Sequence, residues 1–470
     1  MQPKLNIRIA LVDTVTSFYD RHWAFALTAT LRKCGVKDIF YINVLPKLRF
    51  VKAIVNIRPD LVLYSAFSHG VPLVAIFDAY LKSLYKCKSV LGGAGATFTD
   101  IKITETTLDA ICIGEGEIAI RDYLESGLIS GRNLITKEKP DITLAPLIDL
   151  SLEPMPDRSV VYHNDRLLAR IPSKAFITGR GCPYYCTYCF NHIFNKMFGT
   201  KVRKRPVGQV IDEIRHIRDN YPLNFLLFQD DTFCIEKNWL AEFSEHYPRE
   251  IGLPFSCNVR PNLVDDDVVK MLKLAGVRAV SWSVESANDI LRNDILKRNV
   301  TKGEMDRTAE LFRKYGIQYR IANIIGIPGE TTEQVMETID YNVQLGSVFT
   351  SANIFTPYAK LELTEYAIKH GYLDPKRIAI PKNYFVGSVL NVNRSFEDFL
   401  IKSYCLLPYF VWFPALWRNK TLRRLAYGIH RYVLRVIYEL TFLAGSKLIY
   451  GLRISPRIAL SMTWRYIKSL

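Results

Sequence analysis

The sequence predicts an α/β protein in three parts. A doubly wound parallel sheet spans residues 1–130, a partial barrel of six β/α units spans 171–365, and a helical tail spans 366–470, with 131–170 as linker. Three observations carry this reading. Short apolar runs alternate with helical periodicity through two separate stretches, as parallel strands with crossover helices do. The stretch between them (KPDITLAPLIDLSLEPMPDRS at its centre) is rich in Pro and Asp, the composition of a connection. Beyond residue 400 the alternation stops and the chain turns aromatic, apolar and basic. A length of 470 residues, 49% of them apolar, exceeds one ordinary domain and is ample for real cores.

In the first part, IRIALVD, IFYINV, LVLYS, SVLGG and AICIG read as strands, and WAFALTATLRKCG and VPLVAIFDAYLKSLYK as helices. This is a Rossmann-like pattern, and such sheets bind ligands beyond the carboxyl ends of their strands. Those ends carry Ser65, the turn Gly92, Gly93, Gly95, and the turn Gly114, Glu115, Gly116. In the second part the strands are AFITG, FLLFQD, FSCNV, AVSWSVE, YRIANIIG and SANIFTP. Helical stretches separate them, including 207–220, 266–276, 303–316 and 332–346. Six units make a TIM-like barrel that falls short of the full eight, with chemistry at the strand C-termini. The polar groups there are the cysteines after AFITG, then Asp230 and Asp231, Arg260, Glu285, and the segment from Gly326 through Pro328 and Gly329 to Glu330.

Nine cysteines, an odd number with one tight cluster, argue against a secreted disulfide framework and for a reducing compartment. The start, MQPKLNIRIALVD, reads as a first strand and not as a signal peptide, so a cytoplasmic location is expected. The net charge of +16 is uneven: residues 401–470 hold twelve Lys or Arg and one acid, Glu439, a net of 12 − 1 = +11.

GRGCPYYCTYCF sets Cys182, Cys186 and Cys189 at spacing C-x3-C-x2-C in a loop after a strand. Thiolates hold iron–sulfur clusters, and a 4Fe–4S cluster takes four of them. Three leave one iron open to chelate the amino and carboxylate groups of S-adenosylmethionine, whose sulfur–carbon bond an electron from the cluster then breaks. A structural zinc site completed by His192 is the alternative; such sites usually pair two short ligand motifs. The six isolated cysteines suit small buried apolar residues.

On these residues the sequence resembles the radical S-adenosylmethionine superfamily, and within it the branch with an N-terminal cobalamin-binding domain, over roughly residues 1–365. The resemblance rests on the C-x3-C-x2-C motif with Tyr188 before its last Cys, then FQDDTF, SVESAND and IIGIPGETTE in that order. In the first part it rests on PDLVLYSAFSHG, LGGAGATFTD and ICIGEGEIAI. It implies a 4Fe–4S cluster, S-adenosylmethionine and cobalamin as cofactors. By position it gives Glu285 to the ribose, Gly326, Pro328 and Gly329 to the adenine region, and Asp230 and Asp231 to the amino-group region. The family's Gly-Gly-Glu is absent at that last place, as are the Asp-x-His-x-x-Gly signature of cobalt ligation and the Pro-Gly turn of the last strand. Taken singly, the two acids also suit a helix N-terminus, and the glycines an ordinary turn.

In the tail, residues 420–440 place Lys420, Arg423, Arg424, Arg431 and Arg435 on one helical face. Leu422, Leu425, Ala426, Ile429, Tyr432, Val433, Val436, Ile437 and Leu440 fall opposite, with Leu434 out of place. A basic amphipathic helix lies in a membrane interface or covers a core. Trp412, Trp417 and Trp464 are expected as interfacial anchors; the run 403–417, broken by Pro408 and Pro414, is too short to span. Nucleic acid is disfavoured, since no RNA-binding module appears. The resemblance implies a cobalamin-dependent radical enzyme, fed by an external electron donor such as a flavodoxin or ferredoxin, that methylates an unreactive carbon. The tail suggests a lipid, isoprenoid or lipid-linked substrate; otherwise the substrate is a small molecule. Competing readings are ring formation or rearrangement without methyl transfer, an RNA-modifying methylthiotransferase, and a non-catalytic carrier.

Overall fold

The computed structural model describes residues 6–14, 20–43, 49–378, 387–450, 458, 461 and 462. Trp464, expected as an interfacial anchor, lies outside them. The first sheet is formed by β1 (Arg8–Asp13), β2 (Asp38–Asn43), β3 (Leu61–Ser65), β4 (Lys88–Gly92), β5 (Ala110–Cys112) and β6 (Leu134–Thr136), in the order β2-β1-β3-β4-β5-β6. All neighbours are parallel except β5 and β6. The central strands are buried nearly end to end, as strands covered by helices on both faces must be. The five expected strands are all present. The sixth, β6, falls inside the expected linker, as do two short helices, Ser159–Asn164 and Arg166–Arg170. The linker is therefore built structure. Arg158, fully buried, donates to Asp20 of the sheet domain at 3.3 Å and to Ala175 O and Glu213 of the barrel at 2.7 and 2.9 Å.

The second sheet contains β7 (Ser173–Phe176). A small hairpin, β8 (Gly179–Arg180) with β9 (Arg203–Lys204), stands apart from it. Then follow β10 (Phe225–Phe228), β11 (Phe255–Asn258), β12 (Val277–Glu285), β13 (Gln318–Ile325) and β14 (Phe349–Ile354). The order is β14-β13-β12-β11-β10-β7, all parallel, so chain order becomes spatial order, as successive β/α units require. The ends of this sheet, β7 and β14, do not pair, which leaves the barrel open. Helices Val207–Asn220, Asp266–Leu274, Lys302–Lys314 and Thr332–Leu345 form where the periodicity placed them. The last two start with full capping boxes, Thr301 with Glu304 and Thr331 with Gln334.

The tail departs from expectation. Residues 394–412 form one helix, capped by Asn393, that runs through Pro408 and buries Leu400, Leu406, Leu407 and Phe410 against the β14 side of the barrel. Trp412 donates to Val348 O at 2.8 Å, and the buried Trp417 to Asp340 at 3.0 Å. Both indoles thus face the barrel, which corrects their reading as membrane anchors. The expected helix over 420–440 is two, Lys420–Gly428 and Arg431–Tyr450, broken where Gly428 and Ile429 end the first. Among the described residues no helix is long and apolar enough to cross a membrane.

Candidate active site

The cysteine loop leaves the hairpin at Arg180 and enters helix Phe190–Phe198. It is pinned from both ends. Asn195 donates to Cys182 O at 2.8 Å, and Cys189 N to Cys186 O at 3.0 Å. Thr187 reaches Ile295 O at 2.8 Å and Leu296 O at 3.1 Å. Burial pushes the thiols of Cys182 and Cys189 up, the latter to about 12, so metal uptake here must displace protons. Among the described residues no three His, Cys, Asp or Glu side chains converge closely enough for a single ion. Three thiolates on one loop fit a polynuclear cluster. His192, the candidate fourth zinc ligand, is buried with Nδ1 2.6 Å from Cys189 O.

Buried arginines surround this loop. Arg260, at the end of β11, stacks on Tyr184 at 3.7 Å and points Nη1 at Cys186 Sγ, 3.7 Å away. Arg298 donates to Tyr188 Oη at 2.8 Å, and Tyr188 donates to Glu285 at 2.9 Å. Glu285 ends β12 at a register shift, with φ of 63°. A bulge and a left-handed backbone on a non-glycine residue both re-aim a side chain at a cost in strain; here they join the strand end to the cysteine loop. Glu285, expected at the ribose, has one carboxylate oxygen engaged by Tyr188 and Arg298. Sequence reasoning missed Arg298 altogether.

The other expected residues divide. Asp231 lies at the mouth of a cavity, open to it yet walled by protein, and burial raises its carboxyl above the ordinary range. Asp230 turns away: its carboxylate takes Thr178 N at 2.7 Å, the Thr178 hydroxyl, and Lys204 Nζ at 2.7 Å. It braces the hairpin against β7, which corrects its assignment to the amino-group region. The Gly326–Glu330 turn closes on itself. Glu330 accepts from Gly326 N and Ile327 N at 2.5 and 3.1 Å, and burial raises its carboxyl to about 8. Pro328 is buried there, while Gly329 is exposed beside Tyr372.

The cavity, about 450 Å³, starts as a slot in the sheet domain and opens toward the cysteine loop. Ser65, Gly92, Gly93, Gly114, Glu115 and Gly116 line it, and so do Arg180, Gly181, Asn191 and Phe194 of the loop and its helix. A Cβ on Gly93 would stand 2.8 Å from Ser65 Oγ, and its φ of +89° suits glycine alone. This cradle fits the long nucleotide tail of a corrin cofactor. Gly95 is not part of it: its Cα faces the Phe67 backbone, which a Cβ would meet at 2.7 Å, so it serves helix packing. Glu115 lines the wall but spends its oxygens on Arg203, at 2.9 Å to each, and on Arg180 at 3.0 Å. His22 and Gln229 join the lining, 3.2 Å apart. Burial lowers His22 to about 4, which keeps it neutral.

Comparison with known proteins bears on the family and the fold. Residues 176–341 match the model of the Radical SAM superfamily. An uncharacterized methyltransferase of Pyrococcus horikoshii is 27% identical over 345 residues, 68% of this chain and 72% of that protein. An anaerobic magnesium-protoporphyrin IX monomethyl ester cyclase of Cereibacter sphaeroides is 23% identical over 419 residues, 80% of this chain and 66% of the relative. The radical S-adenosylmethionine methyltransferase TsrM of Kitasatospora setae, solved with cobalamin and a 4Fe–4S cluster bound, shares the fold. Its TM-score is 0.64 at 17% identity, over 79% of this chain and 76% of that one.

Proposed function

Residues 176–341 form a radical S-adenosylmethionine domain, set behind a sheet domain as in the cobalamin-dependent branch of that superfamily, and from this premise we propose that the protein methylates an unactivated carbon. The observation that carries the reading is the single cavity joining the sheet-domain slot to the cysteine loop. Cys182, Cys186 and Cys189 would hold the cluster, and the glycine turns at 92–93 and 114–116 the cobalamin. Bound there, the cofactors supply reductive cleavage of S-adenosylmethionine to a 5′-deoxyadenosyl radical and a methyl group for transfer. The chain positions and shields them. Tyr188, Glu285 and Arg298 brace the cluster loop against the barrel, and Arg260 sets a positive charge beside Cys186. His22 offers the cavity a neutral ring.

The substrate we propose is a lipid, isoprenoid or lipid-linked molecule met at the cytoplasmic face of a membrane, with a flavodoxin or ferredoxin as electron donor. The basic, apolar tail supports it. The cyclase relative favours a second reading, ring formation without methyl transfer. Anaerobic reconstitution with iron, sulfide and hydroxocobalamin, then incubation with a lipid extract and methyl-deuterated S-adenosylmethionine, tests both. A product carrying the label supports methylation; an unlabelled product with altered mass supports the second reading. Replacing Cys182, Cys186 or Cys189 with Ala should remove the cluster absorbance and all 5′-deoxyadenosine. If those variants still release deoxyadenosine, the assignment of the site fails.

A further inference from the structure

Among the described residues, helix Lys420–Gly428 packs on helix Arg394–Trp412, and helix Arg431–Tyr450 packs on that same helix and on β12 and β13 of the barrel. Leu434 and Tyr438 are buried there, and Tyr427 stacks on Phe399 with its hydroxyl 2.9 Å from Ser403 Oγ. Leu434, the residue out of place on the expected polar face, thus anchors the helix together with Tyr438. Among the described residues the opposite side is exposed. Leu425 and Val436 are each 64% exposed, Tyr432 61%, Val433 51% and Ile429 39%, and Phe413, just before these helices, is 57% exposed. Tyr432, Val433 and Val436 share one face of the second helix by their spacing, and Leu425 and Ile429 lie on the first helix and at its end. A contiguous apolar surface of this kind marks an interaction site.

The charge around the stripe selects the partner. From Ser403 to Tyr438 the chain holds six Lys or Arg and no Asp or Glu. Lys420 and Arg424 are exposed beside the stripe, whereas Arg423 folds back over Trp417 at 4.8 Å. A second copy would bring like charges together, which disfavours self-association. An anionic bilayer answers both features: apolar side chains enter the acyl boundary and the cations meet the headgroups.

We infer that this stripe docks the protein flat on a membrane containing anionic lipid, with the helices in the interface plane. The inference stands on the tail alone and holds whatever reaction the barrel performs. Full-length, cluster-loaded protein is floated with vesicles of phosphatidylcholine, or of phosphatidylcholine mixed with phosphatidylglycerol. Flotation is expected with the anionic mixture and should weaken with salt. Val433→Glu with Val436→Glu should abolish it, and Arg424→Glu with Arg431→Glu should weaken it about tenfold or more. All four positions lie away from the cluster loop, so unchanged cluster absorbance and deoxyadenosine formation show that the fold is kept. Absence of flotation with either vesicle, or flotation indifferent to both double variants, overturns the inference. So does a dimer seen by light scattering that the valine variants dissolve.

Discussion

At the residue scale, long-range partnerships set the chemistry. Arg260 lies 74 positions from Cys186, and Arg298 lies 110 from Tyr188. Arg260 is buried, with its guanidinium turned to the Cys186 sulfur. A positive charge and a hydrogen bond at a cluster thiolate favour the reduced, more negative cluster. Arg260→Met should therefore lower the cluster's midpoint potential by about 60 mV, the one-electron equivalent of about 1.4 kcal/mol. An anaerobic redox titration followed by electron paramagnetic resonance reads this, with iron content as the check on folding. Arg260→Lys, which keeps charge but loses the planar fork, should shift it less. An unmoved potential in the Met variant would show that the guanidinium is only a packing group. The cysteines were legible because their spacing is local and their ligand chemistry specific. Arg298 was not, because nothing in KRNV distinguishes a buried arginine from a solvated one; only the fold brings Tyr188 and Glu285 to it. Asp230 shows the opposite failure. An acid at a strand end reads as a ligand, yet Lys204 and Thr178, on or beside the small hairpin, consume it.

At the scale of elements, legibility followed burial. Strands buried on both faces gave continuous apolar runs, so all eleven expected strands lie in the two sheets. What escaped notice had weak or contrary local signals. β6 has three residues, and helix Arg394–Trp412 contains Pro408. A proline in a helix removes one hydrogen bond and crowds the preceding turn, but here Leu400, Leu406, Leu407 and Phe410 bury enough apolar surface to offset it. The turn after β4 was legible as a glycine signal, and it carries a prediction. With φ at +89° and Ser65 Oγ and Ala66 O within 3.0 Å of a Cβ, Gly93 has no room for a side chain. Gly93→Val adds strain of about 1–3 kcal/mol and puts methyl groups against the slot wall. The variant should keep its iron and sulfide but bind little or no hydroxocobalamin, read as loss of corrin absorbance after desalting. Full cobalamin loading in that variant would place the cofactor elsewhere.

For the whole molecule, the question is what holds the slot over the cluster loop, since a cavity shared by two domains exists only while they stay together. Glu115 is the central clasp. It sits on the sheet domain, accepts both Nη atoms of Arg203 and one of Arg180 from the barrel hairpin, and also accepts Ile148 N from the linker at 3.2 Å. Glu117 takes the other Nη of Arg180 at 2.7 Å. The Arg203 side chain is 5% exposed and that of Glu115 10%, so removing the acid strands a buried cation. Glu115→Ala should cost about 3 kcal/mol of stability and open the cavity, so that thermal unfolding separates into two transitions. Acid gives an independent check. Burial alone would raise the Glu115 carboxyl, but the hydrogen bonds and charges of Arg203 and Arg180 outweigh it and hold the group below its ordinary 4.5. A carboxyl depressed by folding stabilises fully above its unfolded value and loses that contribution as pH falls through its folded value. The melting-temperature gap between wild type and Glu115→Ala should therefore hold steady above about pH 4.5 and narrow below it. A gap that stays constant down to strong acid would mean that Glu115 acts by shape and not by charge.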